Sequence, residues 1–106
     1  MATFLVQFTY TEEGLKGVLK EGGSKRREAT EQLIKSLGGR LVAYYFAFGK
    51  YDGFSIIEMP DNVDTAAAGF TVSASGAVRT NTTVLLTPEE IDKAVKKSAT
   101  YRAPGK

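Results

Sequence analysis

Residues Arg40–Met59 read RLVAYYFAFGKYDGFSIIEM. From Arg40 to Phe48 the run is rich in apolar, β-branched and aromatic residues, and the same character returns from Gly53 to Met59. Between them stands the five-residue turn Gly49-Lys50-Tyr51-Asp52-Gly53. Such residues fit a pleated, half-buried surface, and two such runs joined by a short Gly-bounded turn make an antiparallel hairpin. Gly49 and Gly53 are expected to supply the positive φ that a tight turn needs. Asp52 is expected to accept nearby backbone N–H groups in an Asx-type turn. Tyr44 and Tyr45 are consecutive on the first of these strands, so one faces the helices and the other the open side of the sheet.

Working outward, Thr3 to Tyr10 alternates with period two, with Phe4, Val6, Phe8 and Tyr10 on one face and Thr3, Leu5, Gln7 and Thr9 on the other. Thr11-Glu12-Glu13 is a helix start, leading to Leu15, Val18 and Leu19 at i, i+3, i+4 spacing. Gly22-Gly23 should interrupt that helix, with Ser24 capping a second run whose stripe is Ala29, Leu33 and Leu37 with Ile34 beside it, ended by Gly38-Gly39. Beyond the hairpin, Pro60 stops the strand and Asp61 caps a helix with Val63, Ala67, Phe70 and Ala74 at helical spacing, ended by Gly76. Ala77 to Leu86 alternates again, with Val78, Thr80, Thr82, Val84 and Leu86 opposite Ala77, Arg79, Asn81, Thr83 and Leu85. Thr87-Pro88-Glu89-Glu90 has the capping-box arrangement and opens a short helix carrying Ile91, Ala94 and Val95. The order β-α-β-β-α-β plus a terminal helix predicts an α+β, ferredoxin-like fold: a four-stranded antiparallel sheet with helices on one face. Residues 1–100 form one expected domain and 101–106 a flexible tail.

The chain has 106 residues, 42% hydrophobic and 25% charged, with Lys+Arg 14 against Asp+Glu 12. A chain this short buries only roughly 60–65% of its unfolded surface, so a second subunit would help. There is no His, Cys or Trp, which excludes disulfides, a thiolate nucleophile, imidazole ligands for zinc or haem, and a Ser-His-Asp relay. A net charge of +2 spread along the chain argues against a nucleic-acid partner. Lys25, Arg26 and Arg27 stand beside Glu28 and Glu31 and read as a solvated helix face. Met1 to Val6 runs directly into a strand pattern with no basic or long apolar leader, so neither a membrane span nor an export signal is expected and a cytoplasmic location is the default. No cofactor is expected: Gly22-Gly23 and Gly38-Gly39 lack phosphate-loop spacing, and Asp61, Asn62 and Asp64 read as helix-start residues rather than a metal loop.

Gly49-Lys50-Tyr51-Asp52-Gly53 followed by Phe54-Ser55-Ile56-Ile57-Glu58 resembles the defining motif of the GYD-domain family. The strand Phe4–Tyr10 leading into Thr11-Glu12-Glu13-Gly14, the Gly38-Gly39 pair and the segment Thr71–Gly76 extend the resemblance over nearly the full length. A similar Gly-x-Tyr-Asp turn occurs in the wider dimeric α+β barrel superfamily, including the ligand-sensing domain of leucine-responsive regulators. The resemblance implies that fold and a homo-oligomer, and no particular reaction, the family being one of uncharacterised function. The exposed sheet face, with Leu5 and Leu85 among Gln7, Thr9, Arg79, Asn81 and Thr83, independently favours a dimer or higher homo-oligomer stacked through its sheets.

Lys50, Tyr51 and Asp52 have two readings: they line a pocket mouth and contact a small organic ligand, or they close a hairpin with the Tyr51 ring packed on the adjacent helix. Glu58 is the candidate general base, its apolar surroundings favouring a raised pKa, with a charge pair to Arg40 or Arg79 as the alternative. Arg79 and Asn81, two apart on one strand face, could bind a carboxylate or enolate oxygen, or bridge subunits. Tyr44 joins the ligand-binding set with Tyr51, Asp52, Lys50, Arg79 and Asn81. Three functions follow in order: a small-molecule-binding module, a cofactor-independent enzyme of monooxygenase or isomerase type, and a structural subunit assembling through its sheet face and basic terminal helix.

Overall fold

The computed structural model describes all 106 residues, Met1–Lys106. Its elements are β1 (Ala2–Tyr10), α1 (Glu12–Glu21), α2 (Gly23–Ser36), β2 (Arg40–Phe46), β3 (Gly53–Met59), α3 (Asn62–Ala74), β4 (Val78–Leu85) and α4 (Pro88–Val95). The four strands form one sheet in the order β2-β3-β1-β4, each neighbour antiparallel. This is the expected ferredoxin-like arrangement.

The ends of the elements follow from local chemistry. Thr11 Oγ1 accepts the Gly14 N–H at 3.2 Å to start α1. Gly22, at φ +84, both ends α1 and occupies the cap position of α2, which has no side-chain cap, so Ser24 lies inside the helix rather than before it. Gly38 (φ +81) ends α2, with Gly38 N–H donating to Lys35 O and Gly39 N–H to Ile34 O in a Schellman closure. Asp61 caps α3 through the Asp64 N–H at 2.9 Å. At α4 the Thr87 side chain accepts from Glu90 N–H while Glu90 accepts from Thr87 N–H, completing the capping box.

The sheet register sorts the faces. Phe4, Phe8, Ser55, Ile57 and Met59 are buried beneath the helices, and Phe4, Ile57 and Met59 make the apolar core with Ile34 of α2 and Ala68 of α3. The helix stripes differ from those drawn from apolar spacing. In α3, Val63 and Phe70 are exposed while Ala68 is buried; in a helix made mostly of small residues, close approach selects the inward face more than side-chain hydrophobicity does. On the other side of the sheet lie Leu5 opposite Ile56 and Gln7 opposite Phe54, with Tyr45 opposite Phe54 on β2. Val42 is an unpaired residue in β2 between Leu41 and Ala43, a bulge that keeps Tyr44 facing the helices.

One part stands away from this body. Residues 86–102 are all exposed, including every residue of α4. The radius of gyration is 17.0 Å and the longest extent 57 Å, against about 13 Å for the radius of a compact chain of this length. No helix is long and apolar enough to cross a membrane.

Candidate functional site

A cavity of about 80 Å³ lies between the sheet and the helices. Its apolar wall includes Val6, Phe8, Ile57, Leu33, Ile34 and Val72, and its polar side carries Arg26, Thr30, Tyr10, Tyr44 and Ser55. The backbone brings the polar group together in a simple way. Tyr44 and Ser55 are direct cross-strand partners of β2 and β3, so their side chains share the helix-facing side. Arg26 and Thr30 are one helical turn apart and, with Leu33, Ile34 and Leu37, form the inward stripe of α2. Arg26 therefore departs from the solvated face expected of the Lys25-Arg26-Arg27 run.

Two of these groups are held in side-chain pairs, Arg26 with Glu21 and Tyr44 with Tyr10. The Arg26 guanidinium donates Nη1–H to Glu21 at 3.2 Å on the solvent side. The Tyr10 and Tyr44 hydroxyls are 3.4 Å apart. Burial, reinforced by the hydrogen bond to Tyr10, raises the Tyr44 phenol well above its ordinary pKa. The Tyr44 hydroxyl therefore keeps its proton at neutral pH. For Arg26, burial lowers the pKa, but the nearby Tyr10 hydroxyl and Glu21 carboxylate outweigh it and the net shift is upward. Either hydroxyl of the Tyr10–Tyr44 pair can be the donor. Ser55 is 3% exposed, its hydroxyl has no partner within the chain, and no fully enclosed side-chain polar atom lacks one; the hydroxyl therefore opens into the cavity. Around the same spot Phe8, Tyr10, Tyr44 and Phe46 form an aromatic cluster with ring centroids 5.4 to 6.4 Å apart.

The sequence-derived candidates divide between the two sides of the sheet. Tyr44 lines the cavity. Asp52 lies at the end of the sheet, where its Oδ2 accepts the Tyr10 N–H at 2.8 Å while its own N–H donates to Phe8 O at 2.9 Å. The carboxylate thereby extends the β1–β3 ladder beyond Gly53, across 42 residues of sequence rather than within a local Asx turn. The turn expectation for the glycines is also corrected. Neither Gly49 nor Gly53 has positive φ; the hairpin loop closes through Ala47 N–H to Asp52 O at 2.7 Å. Gly53 is required for space, since a Cβ there would collide with the Phe8 ring and stand 2.5 Å from Tyr45 O.

Tyr51 does not pack on a helix. Its hydroxyl accepts from Asn81 Nδ2 at 3.2 Å, which places it over the open face, with Lys50 Nζ 5.7 Å from its ring centre. Arg79 shares that face with Asn81 and is exposed. Glu58 is there too, half-buried, receiving both Arg40 Nη2 at 2.9 Å and Arg40 Nε at 3.0 Å. Lys50, Tyr51, Asn81, Arg79 and Glu58 are therefore separated from the cavity by the thickness of the sheet. No group of acidic, His or Cys side chains is arranged to hold a metal. The residues missed by sequence reasoning are Arg26, Thr30, Tyr10 and Ser55. The signal for the first two was their i, i+4 continuation of the Leu33/Ile34/Leu37 stripe.

Residues 4–95 match the family model described as the GYD domain. The chain belongs to the GYD domain family. One similar protein is the "Glutamine synthetase and cystathionine beta-lyase binding protein" of Thermus thermophilus, 32% identical over 82 residues, which cover 77% of this chain and 85% of the relative. No solved structure matches. In this GYD domain the motif's Asp52 and Gly53 are tied to the ends of β1 and β3, whereas Tyr51 reaches the open face.

Proposed function

We propose that this GYD protein is a small-molecule-binding module of a homo-oligomer, with the cavity between sheet and helices as the ligand seat. The observation that carries the reading is the convergence of a buried hydroxyl without a partner, Ser55, with Arg26 and the Tyr10–Tyr44 hydroxyl pair at an otherwise apolar cavity. Apolar walls with a few convergent polar groups are the ordinary make-up of small-ligand sites. The proposed self-association face is the open side of the sheet, where Tyr45 and Phe54 are exposed with ring centroids 5.7 Å apart and Leu5 and Ile56 are half-buried. A stacked sheet would also enclose Tyr51, Asn81 and Arg79, giving them a place at a subunit junction. Against an enzymatic role for Glu58 stands its engagement with Arg40 on the side away from the cavity. Native mass spectrometry of gently purified protein tests the proposal: an oligomer with a retained small mass supports it. A monomer that neither retains nor takes up small organic molecules overturns it.

A second reading, an adaptor for other proteins, is favoured by α4. An isolated eight-residue helix is marginal in water, yet α4 has a complete N-terminal capping box and leaves Ile91 and Val95, one turn apart, and Leu86 exposed. Such an arm suits docking against a partner protein, in keeping with the Thermus relative, whose name describes it as binding two enzymes. Removing residues 87–106 and measuring retention of partner proteins separates the readings, since a cavity ligand would survive the truncation.

A further inference from the structure

We infer that α4 of one copy of this chain docks in the groove between α3 and the edge strand β4 of a second copy. The groove has a volume of about 380 Å³, is open to solvent and lies on the helix side of the sheet. α3 lines it with Ala66, Gly69, Phe70 and Ser73, at i, i+3, i+4 and i+7, and β4 lines it with the alternate residues Thr82 and Val84. Small side chains make up much of the wall and let a helix backbone come close, yet Phe70 and Val84 stand 76% and 57% exposed within it. Because β4 is at the edge of the sheet, no neighbouring strand and its connecting helix cover that side. The contact does not depend on what the smaller cavity holds.

The terminal arm matches this groove in length, size and charge. Ile91 and Val95, exposed one turn apart, are the i, i+4 anchors by which an amphipathic helix enters an apolar groove. The eight residues of α4 span about 12 Å, the length of the stripe Ala66–Ser73 on α3. A cavity of about 150 Å³ holds benzene, or roughly 25 Å³ per carbon, so the seven side-chain carbons of Ile91 and Val95 need about 175 Å³. That is less than half of the groove and leaves room for the helix turn between them. Asp61 and Asp64 stand at the start of α3, where Asn62 lines the groove, and neither is in an ion pair. Lys93, Lys96 and Lys97 stand at the C-terminal end of α4 and are equally unpaired. Laying α4 antiparallel to α3 sets these opposite charges side by side and opposes the two helix dipoles; the reverse direction would bring Glu89, Glu90 and Asp92 up to the same aspartates. The helix comes from a second copy because a chain's own arm is carried off its body. Thr87 is extended (φ -74, ψ 158), fixed by the capping box and followed by Pro88, and residues 86–102 are all exposed. Groove and helix also belong to one sequence, so every solution of the protein holds both in equal amount, which favours a second copy over a foreign helix.

The test uses the full chain, which has no Cys, so that Ser98→Cys places a single nitroxide just beyond α4. Copies carrying the nitroxide are mixed with isotope-labelled copies that carry none, and amide NMR spectra show which labelled residues are broadened. Asn62, Ala66 and Val84 of the labelled copy are expected to broaden. The broadening should vanish with Ile91→Glu in the nitroxide copy or with Phe70→Glu in the labelled copy, both at exposed positions that the fold does not need. Lys96→Glu together with Lys97→Glu in the nitroxide copy should weaken it several-fold, and Asp64→Lys in the labelled copy should then restore it. Tyr45→Lys, on the open side of the sheet, should leave it in place. Broadening that survives Phe70→Glu and is lost with Tyr45→Lys assigns the contact to stacked sheets and overturns the inference. Broadening seen only when nitroxide and isotope share one chain means that the arm folds back on its own body, and none in either sample means that the arm is free for a foreign partner; each result overturns the inference.

Discussion

Replacing Asp52 by Ala removes the acceptor that closes the β1–β3 ladder. The Tyr10 N–H loses its partner at 2.8 Å, and Tyr10 is only 8% exposed, so water cannot fully replace the carboxylate. Hydrogen bonds to charged groups contribute about 1.5–3 kcal/mol, and a partly wetted strand end takes the lower half of that range, giving about 2 kcal/mol. For a domain of this size that corresponds to a fall in Tm of about 10 °C. Asp52→Asn keeps an oxygen in the same place and loses the charge, so its cost should be about 1 kcal/mol or less. The assay is thermal and urea unfolding of wild type and both variants at one protein concentration, since self-association would couple the midpoint to concentration. An unfolding free energy for Asp52→Ala within about 0.5 kcal/mol of wild type would refute the ladder-closing role. Equal losses in the two variants would show that charge, rather than a positioned acceptor, is what the strand end needs.

Gly53→Ala should cost about 3 kcal/mol or more, because neither the Phe8 ring inside its aromatic cluster nor the Tyr45 carbonyl can move away from the added carbon; a folded variant of wild-type Tm would disprove this packing. Tyr44 also makes stability depend on alkaline pH. Its folded pKa is raised by burial, so the unfolded chain loses that proton first, near pH ~10, and stability should fall as pH rises from there toward the folded value. Urea unfolding of wild type and Tyr44→Phe between neutral and alkaline pH checks this, the variant being expected to show the shallower decline. Truncation before Thr87 removes residues that are all exposed except the half-buried Ala103 and should leave the circular-dichroism Tm within about 2 °C of wild type, as expected for changes away from the core; a collapse of the fold would mean that the arm packs on the body.

Where a local rule with a strong backbone consequence was at work, the amino-acid order alone sufficed. Thr11, Asp61 and the Thr87–Glu90 box cap their helices as read, Gly38 ends α2, and the alternation in β1 and β4 assigned the two faces correctly. Period and capping are properties of a few neighbouring residues, so they survive in one dimension. Tertiary structure decided what depends on distance between remote segments. It made Asp52 the partner of Tyr10, turned Gly53 from a flexible hinge into a space requirement beneath Phe8, and carried Tyr51 across to Asn81. It also recruited Arg26 from an apparently solvated charge run into the cavity beside Tyr10 and Tyr44. A polar residue on an otherwise apolar helix stripe reads as solvent-facing until the opposing strands are known, because only those strands supply the hydroxyls that line the cavity beside it.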